Sequence, residues 1–381
     1  MPVLNEELHI EASVAAMRGQ RFPGRLEFLI VDGGSSDRTP EIIHELARQD
    51  PRIRLLSNPR RVTSSGLNVA LGFARGRWVA RMDAHTEYPD GYLLHGVERL
   101  EQGGTRWVSG LAVAKGRGPV SRAVALALRG PLGRGGSRKW VAERGPDQEY
   151  ELDSGVFAGV WERQTLLEYG GWDEAWRRNQ DSEMAGRFLA RGERLILVPA
   201  MAAAYAPRNS IPALARQYFQ YGEFRIKTAV RHPQTMRRSH LLAPSVVTML
   251  AMAVAGPGAL RRRARVGLSV YVASLLAAAA MAVKDAEAPG DAALVPVALT
   301  AMHFGHGLGA FAGSARYGPP LAAIAHCLGW ERAAQRLTPA PVHVFAPSLH
   351  DALASARSVG LAAEPEDFAD RQGDDAQIQS Q

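Results

Sequence analysis

Residues 266–283 carry no charged side chain, and neither do residues 292–313. Coiled as helices, runs of that length match the ~30 Å hydrocarbon thickness of a bilayer. A third stretch, 241–260, is nearly as apolar. One such run alone also fits a buried helix of a soluble protein, but three in succession narrow the choice. The last third of the chain is expected in or on a membrane, and the chemistry is expected in the first two thirds.

The arginines predict a topology. Arg231, Arg237 and Arg238 precede the first apolar stretch, Arg261, Arg262, Arg263 and Arg265 follow it, and Arg316 follows the third. Cytoplasmic segments are enriched in such residues. Two crossings, at 266–283 and 292–313, satisfy all three clusters and leave the acidic segment 284–291 outside. Segment 241–260 is then re-entrant or interfacial, with Pro244 and Pro257-Gly258 near its ends. Three full spans are the rival, with one arginine cluster on the wrong face.

Composition sets further bounds. The chain has 381 residues, a formal charge of +7 and a pI near 9.8. Its only lysines are Lys115, Lys139, Lys227 and Lys284, so the positive charge is nearly all arginine. Arginine suits bidentate recognition of phosphate, although base composition of a gene produces the same bias. A basic balance fits nucleic acid, an anionic membrane surface or a phosphorylated substrate. No zinc-ligand spacing, RNA-stacking motif or recognition helix is present, so nucleic acid is not an expected partner. The single cysteine, Cys327, excludes an internal disulfide and reads as a small buried hydrophobe. The first thirty residues lack the basic and apolar regions of a secretory signal.

The front of the chain alternates. Residues 26–31, LEFLIV, read as a buried strand that ends at Asp32-Gly33-Gly34-Ser35-Ser36-Asp37. Thr39-Pro40 opens a helix, 52–57 is a second strand, 65–75 a helix of small residues, and 77–82 a third strand. Strand–helix alternation predicts an α/β domain with a mostly parallel sheet. Ligands of such sheets gather at the C-terminal strand ends, where Asp32 and Asp83 fall. The opening, Pro2-Val3-Leu4-Asn5-Glu6-Glu7, reads as a loop entering a helix, and the first strand that should feed it is missing. Plain structural roles account for several of these letters equally well: Ser36 or Asp37 as a helix cap, and residues 5–7 as a helix start.

The combination is more specific than its parts. PVLNEE, FLIVDGGSSDRTPEII, NPRRVTSSGLNVALGFARGRWVARMDAH, GGWDEAWRRNQDSEMAGRFLARG and RQYFQYGEFR occur in an order and spacing that resembles the family 2 glycosyltransferases of GT-A fold, over roughly residues 1–235. The tail MHFGHGLGAFAG is similar to the membrane part of bacterial succinoglycan glucosyltransferases. The resemblance implies a GT-A catalytic domain at 1–235, a membrane domain at 236–318 and a C-terminal tail at 319–381, polar and disordered from about 364. It implies a nucleotide-diphosphate sugar as donor and a single displacement with inversion. A lipid-linked saccharide is the implied acceptor, in polysaccharide biosynthesis. The implied location is the inner (cytoplasmic) membrane, multi-pass, with the catalytic domain in the cytoplasm and polysaccharide-assembly proteins as partners.

By the same resemblance, Pro2, Asn5 and Glu6 lie near the nucleotide, Asp32 binds the base, and Asp37 and Asn68 line the donor site. Asp83 and His85 stand where the family has Asp-x-Asp. One intervening residue puts both side chains on the same side of an extended backbone, where they would hold a divalent cation, Mn²⁺ or Mg²⁺, against the diphosphate. Imidazole favours manganese or zinc over magnesium, and His85 contacting the phosphate directly is the alternative.

Asp181 aligns with the catalytic base and Gln180 replaces the family's Glu. Loss of that charge makes Asp181 less basic unless burial compensates; a helix cap is the structural alternative for Asp181. Trp172 and Asp173 fall on the acceptor side. Gln217 is retained from the processive Gln-x-x-Arg-Trp motif, but Gln220 and Tyr221 replace its Arg and Trp, which favours addition of one sugar, with Arg225 or Lys227 supplying the lost cation to the pyrophosphate. The basic glycine-rich stretch 129–137 reads as a loop over the site, since it lacks Gly-Lys-Ser/Thr. His303 and His306 read as helix-packing residues. The departures at 85, 180 and 220, with the missing strand, leave a second reading: a catalytically impaired nucleotide-sugar-binding or scaffold protein.

Overall fold

The computed structural model describes residues 1–140, 148–153, 158–340 and 343–358. The disorder expected from about 364 onward lies outside the described residues. The strand Phe28–Asp32 is buried almost throughout because it runs between two parallel neighbours, Pro2–Val3 and Ile53–Ser57. Pro2–Val3 is a strand of only two residues, with Pro2 opposite Val31 and Val3 opposite Asp32. Two residues are too few to show a period. Asn5, at φ 56°, then turns the chain into its first helix.

Parallel pairing covers these three strands, and beyond them it is mixed. Trp78–Arg81 is the third expected strand, but it pairs antiparallel with Gly159–Glu162. That partner arrives late in the chain, so no local pattern announces it. The second sheet runs Trp78–Arg81, Gly159–Glu162, Trp107–Ser109, Leu195–Leu197, Tyr150–Leu152, and only Trp107–Ser109 and Leu195–Leu197 are parallel. A third sheet joins Thr86–Glu87, Ala203–Tyr205 and Ala112–Ala114.

Two cores hold these layers. Ile10, Val14, Ile30 and Ile43 fill the first and are fully enclosed. The second is aromatic: Trp161 lies between Trp107 and Trp172, with ring centroids 5.1 and 5.7 Å away. Each such pair contributes about 0.5–1.5 kcal/mol beyond its burial.

Among the described residues, three helices are long and apolar enough to cross a membrane: Arg238–Ala255, Gly258–Asp285 and Pro289–Tyr317. The last packs against the amphipathic helix Ile211–Arg231 through glycines at every fourth residue. A Cβ on Gly305, Gly309 or Gly313 would lie 2.5, 2.0 or 2.6 Å from the carbonyl oxygens of Ala215, Phe219 and Glu223. Residue numbers rise together on both helices, so they run parallel with backbones in contact, as small-residue stripes permit. After these helices the chain returns to the α/β unit. The helix Pro347–Ser358 packs on Thr63–Phe73, with Leu349 in the aromatic core and Ser348 donating two hydrogen bonds to Glu174 (2.9 and 3.1 Å).

Candidate active site

A cleft of about 530 Å³ opens where the C-terminal ends of Phe28–Asp32 and Trp78–Arg81 meet the helix Gln180–Ala190. Side chains alternate along an extended backbone, so Arg81 and Asp83 share a face. The Arg81 guanidinium joins two distant acids. It donates to both oxygens of Asp83 (2.8 and 3.0 Å) and to Oδ1 of Asp181 (2.6 Å). Asp83 and Asp181 thus face one cavity across a shared cation. Asp181 Oδ2 accepts from no described residue.

Asp181 stands in the first turn of its helix, where backbone N–H groups favour a carboxylate. The turn before it is fixed by Asn179, which adopts the left-handed conformation (φ 62°). Its amide donates to Thr228 and its oxygen accepts from Arg225 (3.2 and 3.3 Å). Burial raises the Asp181 pKa, with Arg81 and Lys139 opposing and Asp83 reinforcing. Burial therefore supplies the basicity that Gln180 does not. Burial also opposes ionisation of Asp83, but the Arg81 guanidinium outweighs it and holds Asp83 below the usual carboxylate range. The two acids are pushed apart, the arrangement that separates roles in a site.

At the opposite end, His85 Nδ1 lies 3.0 Å from Glu6 Oε2, and that bond raises the histidine pKa against the effect of burial. No group of three His, Cys, Asp or Glu side chains converges among the described residues. Asp83 already accepts from Arg81 at both oxygens and His85 follows it in a turn, so the two offer a divalent cation few ligands of their own.

Pro2, Glu6, Asp83, His85, Asp181, Gln217 and Tyr221 line the cleft. Asn5, Asp32, Asp37, Asn68, Trp172 and Asp173 do not. Asp32 is held by the turn after it, accepting from Gly34 N (2.9 Å) and Ser35 Oγ (2.6 Å). Asn5 binds Ser36 N (2.8 Å) and Asp37 binds Glu7 N (3.1 Å), which locks the two loops together beside the opening. Asn68 is fully buried and clamps Trp172, donating to its carbonyl and accepting from its N–H (2.8 Å each). Trp172 belongs to the aromatic core, and Asp173 pairs with Arg231 (2.9 Å). Of the two substitute cations, Arg225 reaches the cleft, whereas Lys227 donates to Ala175 O (2.6 Å) over the Trp176 ring. The glycine-rich stretch contributes Leu132, Gly133, Arg134, Gly135 and Ser137 to the wall. His303 bridges Tyr271 OH and Leu132 O (3.0 Å each), and His306 faces the cleft. Cys327 is buried. Glu183 is sealed in a network with Arg187 and His232.

Sequence reasoning missed Arg81 and Lys139. Arg81 was legible, since it precedes Asp83 by two residues on the same strand face. Lys139 carries no local signal: its position follows from how the glycine-rich stretch folds.

A mixed α/β sheet with acids at its strand ends, beside a cleft and followed by apolar helices, defines the class: a glycosyltransferase of GT-A type. The model for "Glycosyl transferase family 2" matches residues 1–144. The chain is 32% identical over 257 residues to succinoglycan biosynthesis protein ExoA of Rhizobium meliloti (strain 1021), across 67% of this chain and 74% of that one. It is 24% identical over 231 residues to a dolichyl N-acetyl-alpha-D-glucosaminyl phosphate 3-beta-D-2,3-diacetamido-2,3-dideoxy-beta-D-glucuronosyltransferase of Methanococcus voltae, across 58% and 70%. The mannosyltransferase PcManGT from Pyrobaculum calidifontis shares the fold at TM-score 0.51 and 19% identity, over 80% of this chain and 85% of that one. The chain belongs to glycosyl transferase family 2 and is a glycosyltransferase.

Proposed function

We propose that the protein transfers a single sugar, with inversion, from a nucleotide-diphosphate sugar to a lipid-linked saccharide in exopolysaccharide synthesis. The observation that carries this reading is the continuity of the cleft. It runs from Pro2 and Glu6, past Asp83, Arg81 and Asp181, to Leu242, Ala243, Met302 and His306 on helices able to lie in a membrane. A nucleotide sugar enters from the aqueous end, and an acceptor that cannot leave the bilayer enters from the other. The succinoglycan relative supports the pathway, and the mannosyltransferase solved with GDP-Man and Mn²⁺ supports the donor class. The arginine clusters favour a multi-pass protein in the cytoplasmic membrane, its catalytic unit in the cytoplasm beside other polysaccharide-assembly proteins.

Asp181 is the general base. Its free Oδ2 accepts the proton of the acceptor hydroxyl as the oxygen bonds to the anomeric carbon. The bond from that carbon to the diphosphate breaks on the opposite face, and the nucleoside diphosphate leaves with the electron pair. Arg81 keeps Asp83 ionised and holds Asp181 at the cleft wall. A divalent cation held by Asp83, His85 and the diphosphate would neutralise the charge growing on the leaving group. The histidine favours Mn²⁺ over Mg²⁺. Gln217 and Tyr221, joined by a 3.1 Å hydrogen bond, line the acceptor side.

The test is a donor screen on membranes holding the full-length protein, with lipid extracts as acceptor and the anomeric configuration of the product read by NMR. A lipid-bound product with configuration opposite to the donor's supports the reading. Transfer only to soluble acceptors, or with retained configuration, overturns it.

A further inference from the structure

The cleft holds more positive charge than its own acids neutralise. Arg81 occupies both oxygens of Asp83 and one of Asp181. Glu6 is engaged by His85, and Arg237 is paired with Asp153. Arg61 donates to the carbonyls of Gly33 and Gly34 and Arg178 to Gln220, without an acid partner among the described residues, and Lys139 and Arg225 are two further cations of the cleft. Arg225 uses Nη2 on Asn179 and Ser182 (3.3 Å each), while its Nη1 is buried with no partner among the described residues. Lys139 has no hydrogen bond or ion pair there, and only lies 5.1 Å from the centre of the Trp140 ring. Both side chains are half-buried; a partly desolvated cation without an acid partner is costly, and a phosphate group offsets this by accepting several charge-assisted bonds.

The location of this surplus selects its ligand. Arg225 bonds to Asn179 and Ser182, which flank Gln180 and Asp181, and its helix packs on Pro289–Tyr317, where Gly222 meets the His306 carbonyl. Lys139 lines the same cleft as Asp181, Arg225 and Arg237. Beyond Arg225 the wall is Leu242, Ala243 and His306, from the candidate membrane helices. The pair therefore sits past the base, between Asp181 and the bilayer.

We infer that Lys139 and Arg225 form the receptor for an anionic headgroup, a phosphate or diphosphate at the base of the lipid-linked acceptor. The inference builds on the transferase reading above and adds what the acceptor must carry. Burial pushes the Lys139 ammonium down to about 8 and the Arg225 guanidinium down to about 10. A bound diphosphate reverses both effects. It also fixes the first sugar of the acceptor at a set height above the membrane, which is how a base at position 181 would select one hydroxyl.

The experiment uses the full chain in phosphatidylcholine nanodiscs and measures binding of a short-chain polyprenyl diphosphate and of UDP and GDP. Lys139→Gln and Arg225→Gln should each weaken polyprenyl diphosphate tenfold or more and leave the tighter-binding nucleotide within twofold, which also shows that the variants are folded. Lys139→Arg should retain binding. Inorganic pyrophosphate should displace the lipid, and phosphatidylglycerol at equal surface density should not. Unchanged lipid affinity overturns the inference. So does a parallel loss of nucleotide affinity, which assigns the pair to the donor, or displacement by phosphatidylglycerol alone, which makes it a general membrane contact. Sugar transfer to a lipid acceptor with affinities unaltered in the double variant removes this subsite alone. A wild type that binds polyprenyl diphosphate through these residues yet transfers no sugar removes the transferase reading alone.

Discussion

Arg81→Met removes the cation that joins the two acids, and methionine fills much the same space. Three charge-assisted hydrogen bonds are lost, at 2.8 and 3.0 Å to Asp83 and 2.6 Å to Asp181. Arg81 is 7% exposed and the acids 24% and 21%, so solvent replaces little of the interaction. Charges about 4 Å apart at an effective dielectric of about 20 attract by roughly 4 kcal/mol per pair. Part of this is offset because a buried guanidinium no longer has to be desolvated, and breaking such a pair costs about 3–5 kcal/mol net. Two carboxylates then face each other, so the pKa of the pair in the folded protein rises. For an acid whose folded pKa is raised, stability is intact below the ordinary carboxylate value of about 3.9 and is lost as pH rises through the folded value. The deficit should therefore be small near pH 4 and complete by pH 8. At roughly 2–4 °C per kcal/mol for a unit of about 200 residues, the apparent Tm at pH 8 falls by about 6–20 °C. Thermal scans in nanodiscs at both pH values measure this, and transfer rates should recover as pH is raised if Asp181 is the base proposed, since a base must be ionised to act. An equal Tm loss at both values, or an acid limb of kcat/KM that does not move, refutes the reasoning.

In the wild type, burial raises the Asp181 pKa. The acid limb of kcat/KM should accordingly lie above the ordinary carboxylate range, and activity should fall as pH drops through it, which a pH–rate profile reads directly. Asp83→Ala should weaken donor binding in the presence of Mn²⁺ and little in its absence; titrations with equal affinities in both proteins count against Asp83 as a ligand. Gly309→Leu puts a side chain where a Cβ alone would meet Phe219 O at 2.0 Å. It should separate Ile211–Arg231 from Pro289–Tyr317 and cost on the order of 1–3 kcal/mol or more, seen as a lowered Tm, whereas Gly290→Leu, which meets nothing within 4 Å, should be silent.

The sequence shows what local chemistry writes and conceals what distance decides. The run 26–31 and the Thr39-Pro40 helix start are legible because one apolar strand and one cap fit within a few residues. The pairing of Trp78–Arg81 is not, because Gly159–Glu162 lies far along the chain. Asp83 and Asp181 stand out as strand-end and helix-start acids, yet nothing local shows that one guanidinium holds both. Asn68 illustrates the opposite case. Its neighbourhood resembles a donor-site motif, but its amide is spent on the backbone of Trp172. The glycines at 305, 309 and 313 spell a helix contact without naming the partner helix, and the return of Pro347–Ser358 onto Thr63–Phe73 leaves no trace in periodicity.

The most direct measurement compares donor binding and sugar transfer in Asp181→Asn. If the Asp181 carboxylate takes the acceptor's proton, the amide variant binds the nucleotide sugar as the wild type does and transfers it about 10²–10⁴-fold more slowly. Turnover at the wild-type rate in that variant contradicts the account.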